Sequence, residues 1–148
     1  YGQKGRDLLL ELKSSDWLPP YNDELVRASL EEIALHFDEL QNQIDGTTTT
    51  DKKPPMEARP SLLLHDMSIR RNKQCLLAYH VARLEKLKQE VNTGFQHFHS
   101  AHLQTVTAEA EVDFLQHYEK LRANFGASMG LDLRESLFPP EQDFVQVR

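Results

Sequence analysis

Four features of the sequence have residue types and spacings that could support chemistry: a G-x-S-x-G pentapeptide, a group of histidines, a lone cysteine and a cationic run. The pentapeptide, Gly126 to Gly130, has the pattern of a hydrolase nucleophile elbow, which needs a strand before the serine and a helix after it. Here it follows an apolar helical period, and Gly130 is suited to end a helix. The sequence therefore predicts no nucleophilic serine and no enzyme.

The histidines His97, His99 and His102 lie close together and raise the hypothesis of a metal site. A di-iron helical bundle would also need Glu-x-x-His motifs from two helices, and the sequence has none. Asp113 and His117 stand one helical turn apart, which we interpret as a surface hydrogen bond. We predict no metal and no cofactor, with a small metal-binding helical bundle as the alternative.

The lone cysteine, Cys75, stands near Lys73, which would favour a reactive thiolate. Its other neighbours include Leu76, Ala78 and Tyr79, so we interpret it as a small, buried and inert side chain. One cysteine cannot form an internal disulfide, and no apolar run approaches the roughly 20 residues of a membrane span. We expect an intracellular, soluble protein that folds without covalent cross-links.

The cationic run begins at Arg70 and stands out against an acidic chain, which has 17 basic and 23 acidic residues and a net charge of −6. Between Ser68 and Glu90 there are six basic and two acidic residues, a local charge of +4. The acidic total argues against unaided binding of nucleic acid, although a DNA-binding helix stays a further alternative. A basic band on an acidic body favours docking against an acidic protein surface, and its ordinary interpretation is a solvated helix face.

The elements that must position these residues are predicted to be all-α, a bundle of about four main helices. Helices are predicted from about Gln3 to Ser14, from an Asn22 cap to Gly46, from Ser61 to about Val91, and from a Thr107 cap to Gly130. We expect a long loop at 47–60 and an extended tail after the last helix. The predicted buried positions are Leu8, Leu9 and Leu12; Val26, Leu30, Ile33, Phe37, Leu40 and Ile44; and Phe114, Leu115, Tyr118, Leu121 and Phe125.

The third helix is unusual because it is apolar on two sides. One row contains Leu77, His80, Leu84, Leu87 and Val91, and the other contains Cys75, Ala78, Tyr79 and Ala82. A helix that faces water should have one apolar stripe, so the second row indicates a surface that another protein covers. The period does not decide which row faces the core.

The cationic run and the start of this helix also carry a resemblance. RNKQCLLAY closely resembles the RNKRCLLAY signature of the PSF-one subunits of GINS, part of the eukaryotic replicative helicase. YGQKG with LLLEL, LPPYNDELV, and GLDL followed by PP and FVQVR resemble other landmarks of that family, in the same order. The chain departs from the pattern at Gln74, where the family usually has arginine, and at Val91 and Asn92, near which the family often has tryptophan.

The resemblance implies a non-catalytic scaffold subunit of a nuclear heterotetramer with SLD-five, PSF-two and PSF-three. In the family this complex bridges the MCM ring and Cdc-forty-five to form the active DNA-unwinding assembly. Residues 1–130 would be the helical domain, and 131–148 a linker toward a small β-rich domain associated with the leading-strand polymerase epsilon. The linker residues would be Phe144, Val145, Val147 and Arg148.

The resemblance also implies a subunit interface on the third helix. Arg71 and Arg83 are the candidates for ion pairs between subunits, because a guanidinium can hold a carboxylate with two hydrogen bonds, and Tyr79 is the candidate aromatic anchor. The full predicted set is Arg70, Arg71, Asn72, Lys73, Cys75, Leu77, Tyr79, Arg83, Leu84 and Leu87.

Overall fold

The computed structural model describes residues 1–15, 17–47, 56–92 and 105–130, and these residues form helices joined by turns, with no strand among them. The main helices are α1 (Gln3–Ser14), α2 (Asp23–Thr47), α3 (Arg59–Asn92) and α4 (Glu109–Met129). The chain divides into two compact units, Tyr1–Arg83 and Leu84–Arg148. The predicted all-α class is confirmed. The tail at 131–148 lies outside the described residues.

The first unit has an apolar core that α1, α2 and α3 share. Its buried members are Leu8, Leu12, Val26, Leu76 and Tyr79. Leu9 packs against this cluster, so all three residues predicted for the stripe of α1 lie at the core. Val26 is the one predicted residue of α2 that is fully buried here.

The start of α2 is fixed by the predicted cap. The side chain of Asn22 accepts a hydrogen bond from the backbone N–H of Leu25 at 3.0 Å, which satisfies one donor of the first turn. Its amide nitrogen donates to Glu11 Oε2 of α1 at 2.8 Å. The cap therefore also ties α2 to the preceding helix.

The predicted inward face of α2 is only partly correct. Leu30, Phe37 and Ile44 are exposed, whereas Ser29 and His36 are buried in their place. The Ser29 hydroxyl donates to the backbone carbonyl of Leu25 at 2.8 Å, so its burial leaves no donor unpaired. Hydropathy alone predicted the wrong residues because small or hydrogen-bonded polar side chains take the interior positions.

The predicted loop at 47–60 is too long at both ends. Helix α2 continues through Gly46 to Thr47, and α3 already begins at Arg59, two residues before the predicted start. Pro60 is tolerated because the first turn of a helix leaves its backbone N–H groups without intrahelical acceptors. Residues 48–55 lie outside the described part of the chain.

In the second unit, helix α4 ends as predicted but begins later. Gly130 takes the left-handed conformation at φ 67°, and its N–H donates to the carbonyl of Ala127 at 3.3 Å. The N-cap is Ala108 and not Thr107; the side chain of Glu111 accepts a hydrogen bond from the N–H of Ala108 at 3.0 Å. A carboxylate in the first turn thus replaces the predicted hydroxyl.

The predicted buried stripe of α4 is correct at its centre and wrong at its end. Leu115 is fully buried and Phe114 and Tyr118 are half-buried, but Leu121 and Phe125 are exposed at 64% and 56%. Gly126 is buried instead. A search for apolar side chains does not identify a buried glycine.

Candidate interaction surface

The RNKQC segment of α3 places three side chains against the start of α1, those of Arg71, Asn72 and Cys75. A Cβ on Gly5 would lie 2.9 Å from Cys75 Cβ, and one on Gly2 would lie 3.3 Å from Asn72 Oδ1. Real side chains essentially never approach to the first of these distances, so α3 comes close to α1 only because residue 5 is glycine. The buried half of RNKQC and the glycines of YGQKG therefore form one helix contact.

A charged group closes this contact from the side of α2. Glu32 Oε1 accepts a hydrogen bond from the N–H of Gly2 at 2.8 Å. Burial raises the pKa of Glu32, but the hydrogen bond from the Gly2 N–H and the charge of His36 outweigh that effect and hold the pKa below its usual value. Asn72 is completely buried, and neither of its polar atoms reaches a described group in good hydrogen-bond geometry.

A histidine pair extends this group along α2 and α3. His36 Nδ1 and His65 Nδ1 are 3.0 Å apart, so one ring donates the hydrogen and the other accepts it. His36 Nε2 lies 3.8 Å from Glu32 Oε1. Tyr1 meets the His36 ring edge-on at 4.6 Å between centroids. The pair joins α2 to α3 through polar contacts.

Tyr79 and Arg83 face the loop between α1 and α2. The Tyr79 hydroxyl accepts a hydrogen bond from the N–H of Asn22 at 3.1 Å. Arg83 is 0% exposed, and its Nη1 donates to the carbonyl of Pro19 at 2.6 Å. The guanidinium carbon also lies 5.4 Å and 5.5 Å from the ring centroids of Tyr21 and Tyr79, within the range of cation–π attraction. These side chains hold the loop on α3.

In the second unit, the last turns of α3 are held by α4. Arg122 Nη1 donates to the carbonyl of Val91 at 2.6 Å, and the Tyr118 hydroxyl donates to Asn92 Oδ1 at 3.1 Å. A cation is favourable at this carbonyl because the carboxyl end of a helix is partly negative. Lys88 Nζ lies 5.4 Å from the centroid of the Phe114 ring. Leu87, which directly precedes Lys88, is fully buried.

The opposite side of α3 in the first unit is exposed. Arg70, Lys73 and Leu77 face solvent there, and Leu77 is 66% exposed. Arg71 is also exposed, although its side-chain stem lies beside Gly2. Arg70 Nε donates to Asp66 Oδ2 one turn earlier, at 2.9 Å. An exposed pair of this kind contributes little to stability, so Arg70 is free to exchange it for another carboxylate.

The predicted interface set thus divides in two. Five members are buried within the chain, and their side chains are used by its own core: Asn72, Cys75, Tyr79, Arg83 and Leu87. The contacts described for Arg83 and Tyr79 lie within this chain, and their intersubunit roles stay predictions. Arg70, Arg71, Lys73 and Leu77 are exposed and Leu84 is half-buried, and for these the interface stays a prediction. Of the two rows, Cys75 and Tyr79 face inward, but Ala78 is exposed. Phe144, Val145, Val147 and Arg148 lie outside the described residues.

Several residues of the contact were not identified from the sequence. Gly2, Gly5, Glu32 and His36 carry the approach of α1 and α2 to α3. The signal available was the three-residue spacing of the two glycines, which places the N-cap Gly2 within one turn of Gly5. Nothing in the sequence connects that face to Asn72 and Cys75, about 70 residues later.

The sequence also raised a metal site, an Asp113–His117 hydrogen bond and a nucleophilic serine. No group of three metal-binding side chains occurs in the described ranges, and His97, His99 and His102 lie outside them. His117 Nδ1 donates to the backbone carbonyl of Asp113, not to its carboxylate. Ser128 lies within the last turn of α4, as the helix-end interpretation predicts. None of the described helices is long and apolar enough to cross a membrane.

Comparison with known proteins identifies relatives along almost the whole chain. No family model matches it. The DNA replication complex GINS protein psf1 of Schizosaccharomyces pombe is 34% identical over 157 residues, covering 99% of this chain and 77% of its own length. PSF1 of Gibberella zeae is 31% identical over 170 residues, covering 100% and 79%. The probable PSF1 of Dictyostelium discoideum is 29% identical over 142 residues, covering 96% and 73%. The chain belongs to the family of PSF1 proteins of the DNA replication complex GINS.

Proposed function

We propose that this chain is a non-catalytic subunit of a GINS complex and acts in DNA replication by binding other proteins. The observation that carries the proposal is the similarity to proteins named as GINS PSF1, which extends over 96 to 100% of this chain in the three relatives described. Its other subunits would be SLD-five, PSF-two and PSF-three. The complex would work in the nucleus with the MCM ring, Cdc-forty-five and DNA polymerase epsilon.

The distribution of apolar side chains supports a role in binding. Both units leave large apolar residues in water, among them Leu77 and Val81 on α3 and Phe125 on α4. Exposed apolar residues that lie next to one another often mark sites of protein association. The exposed cations Arg70, Arg71 and Lys73 lie beside the first of them. A partner with apolar and acidic residues fits this surface.

The experiment is co-expression of this chain with SLD-five, PSF-two and PSF-three, followed by size exclusion with mass measurement. We expect one complex that contains one copy of each subunit. A chain that elutes as a monomer beside the other three would contradict the proposal.

The alternative functions have their own readouts. A stoichiometric metal in untagged protein, lost when His97, His99 and His102 are replaced, would support a metal-binding protein instead. Binding of the isolated chain to DNA that weakens steeply with salt would support a nucleic-acid-binding protein. We expect neither result.

A further inference from the structure

One side of α3 in the first unit carries a row of exposed side chains with the spacing of a coiled coil. The row advances by four and three residues in alternation, so each kind of position recurs after seven residues. Its four apolar members are 55 to 66% exposed. From residue 63 to residue 81 it covers 19 residues, or about 27 Å of helix at a rise of 1.5 Å per residue. We call this row the outer seam; it consists of Leu63, Met67, Arg70, Gln74, Leu77 and Val81.

The spacing of the outer seam selects the kind of element that can cover it. A row that repeats every 3.5 residues follows the path of another helix wound beside it, with side chains of one helix filling gaps in the other. A loop or a strand does not keep that register over five turns. The chain's own core uses the opposite side of α3, where Asn72, Cys75 and Tyr79 are buried. The outer seam is therefore suited to a helix of another molecule.

The centre of the outer seam is polar and cationic. Arg70 and Gln74 occupy two adjacent seam positions, and Arg71 and Lys73 flank them. A polar residue within an apolar seam lowers stability but fixes the register and the choice of partner. Of these three cations, Arg70 pairs with an acidic residue of its own helix, Asp66. A facing carboxylate is favoured, whereas a second copy of the same helix would bring its own cations to this point.

From these observations we propose that the outer seam binds one α-helix of another GINS subunit. That helix carries apolar residues in heptad spacing around a central acidic residue, which pairs with Arg70. This inference rests on the proposed function and specifies the surface through which it acts. Leu63 and Met67 pack on one side of the polar centre, and Leu77 and Val81 pack on the other.

Site-specific cross-linking in the complete complex tests the proposal. Cys75 is the only cysteine of the chain and is 2% exposed, so a cysteine introduced on the surface is the accessible thiol. Met67→Cys and Leu77→Cys would be labelled with a benzophenone maleimide and irradiated after assembly with SLD-five, PSF-two and PSF-three. We expect both to join one partner helix at points about 10 residues apart, because that is their own separation along a parallel or antiparallel neighbour.

The matched control is Leu35→Cys, on α2, where the native side chain is 69% exposed against 66% for Leu77. It should not cross-link to the helix that residues 67 and 77 reach. Cross-links of 67 and 77 to unrelated segments, to a second copy of this chain, or to a helix without heptad spacing would overturn the proposal. Equal labelling of the same helix from position 35 would also overturn it.

A charge reversal tests the polar centre separately. Arg70→Glu should weaken assembly at least tenfold, and replacing the facing acidic residue of the partner by arginine should restore it. The control Lys4→Glu makes the same charge change on the exposed face of α1 and should have no effect. Equal effects of the two reversals would overturn the pairing. If the unaltered chain fails to assemble at all, the proposed function falls together with this inference, whereas normal assembly with misplaced cross-links removes the inference alone.

Discussion

In the first unit, the buried side of α3 is partly polar and the exposed side is partly apolar. A helix at a protein surface is expected to show the reverse. The inner row, defined as Ser68, Asn72, Cys75, Tyr79 and Arg83, includes two polar residues and an arginine, yet every member is at least 94% buried. The outer seam has four apolar members, and water covers more than half of each. The comparison shows that the residues found on one face of a helix depend on what packs against that face, and not on hydropathy alone.

The inner row can be polar because nearby backbone groups satisfy most of it. The Ser68 hydroxyl donates to the carbonyl of Leu64 at 2.8 Å, Arg83 donates to Pro19, and Tyr79 accepts from Asn22. Buried polar groups with partners cost little, whereas unpaired ones cost about 1 to 3 kcal/mol. On the outer seam, Arg70 pairs with the side chain of Asp66, and the four apolar members are more than half exposed. This exposure is consistent with a surface completed by another protein.

The largest effect should come from the buried cation of the inner row. Arg83→Met removes the hydrogen bond to the Pro19 carbonyl and the contacts with two aromatic rings. We expect the free energy of unfolding to fall by about 2 to 3 kcal/mol, since a hydrogen bond from a charged group contributes roughly 1.5 to 3 kcal/mol. Urea denaturation followed by circular dichroism measures the change. Arg70→Met on the outer seam is the control, and an equal loss there would break the contrast between the two faces.

The close contact of the inner row with α1 should be the next most sensitive. Gly5→Ala places a Cβ 2.9 Å from Cys75 Cβ, so the helices must separate. Overpacking of this kind costs about 1 to 3 kcal/mol.

Gly46→Ala provides a control of opposite sign for that change. A Cβ at position 46 meets nothing within 4 Å, and alanine favours the helix by about 1 kcal/mol over glycine. Thermal melting of both variants should therefore show a lower Tm for residue 5 and an equal or higher Tm for residue 46. A neutral Gly5→Ala would mean that α1 does not approach α3 as described.

The Tyr79 hydroxyl provides a smaller test of the inner row. Tyr79→Phe keeps the buried ring and removes the acceptor for the N–H of Asn22. We expect a loss of about 1 kcal/mol in unfolding free energy, the typical net contribution of one hydrogen bond. Chemical denaturation against Tyr21→Phe, whose ring is half-buried near the same guanidinium, compares the two hydroxyls. No loss in Tyr79→Phe would exclude this bond as a link between α3 and the cap of α2.

Acidification should weaken the side of the contact that α2 supplies. Because the pKa of Glu32 is lowered in the folded chain, its carboxylate adds stability above the ordinary glutamate pKa of about 4.3, and this contribution is lost as the pH falls below that value. Glu32→Gln should flatten that part of the profile of unfolding free energy against pH. An unchanged slope below pH 5 would argue against a folded carboxylate at this site.

The smallest effect on folding should come from the outer seam. Leu77→Gln changes a side chain that is already 66% exposed, so the free energy of unfolding of the isolated chain should stay within about 0.5 kcal/mol. Differential scanning calorimetry of the isolated variant measures this. A clear fall in Tm would place Leu77 in the core and not on a binding surface.

The sequence predicted the helices well and their orientation poorly. Caps and breaks are local, so Asn22, Gly130 and the ends of α1 could be read from neighbouring residues. Which face of a helix is buried depends on contacts with distant segments. Leu30 and Phe37 were assigned to the core because they are apolar, although Ser29 and His36 occupy it.

The interface set shows the same limit. Arginine and tyrosine are common in protein interfaces, so Arg83 and Tyr79 were natural candidates. Their actual neighbours, Pro19 and Asn22, precede them by more than 50 residues, and no local pattern identifies that contact. Arg70 and Leu77 are both exposed, but the sequence period did not decide which row of α3 faces the core. Their common seam becomes evident only when the burial of each turn is known.

Hydroxyl-radical footprinting of this chain, alone and after assembly with SLD-five, PSF-two and PSF-three, tests the central claim most directly. In the isolated chain Met67 and Leu77 should be oxidised readily, since both are more than half exposed, whereas Tyr79 should be protected at 1% exposure. Assembly should reduce oxidation of Met67 and Leu77 severalfold and leave Tyr79 unchanged. Met67 and Leu77 that stay equally oxidised in the assembled complex would contradict the account.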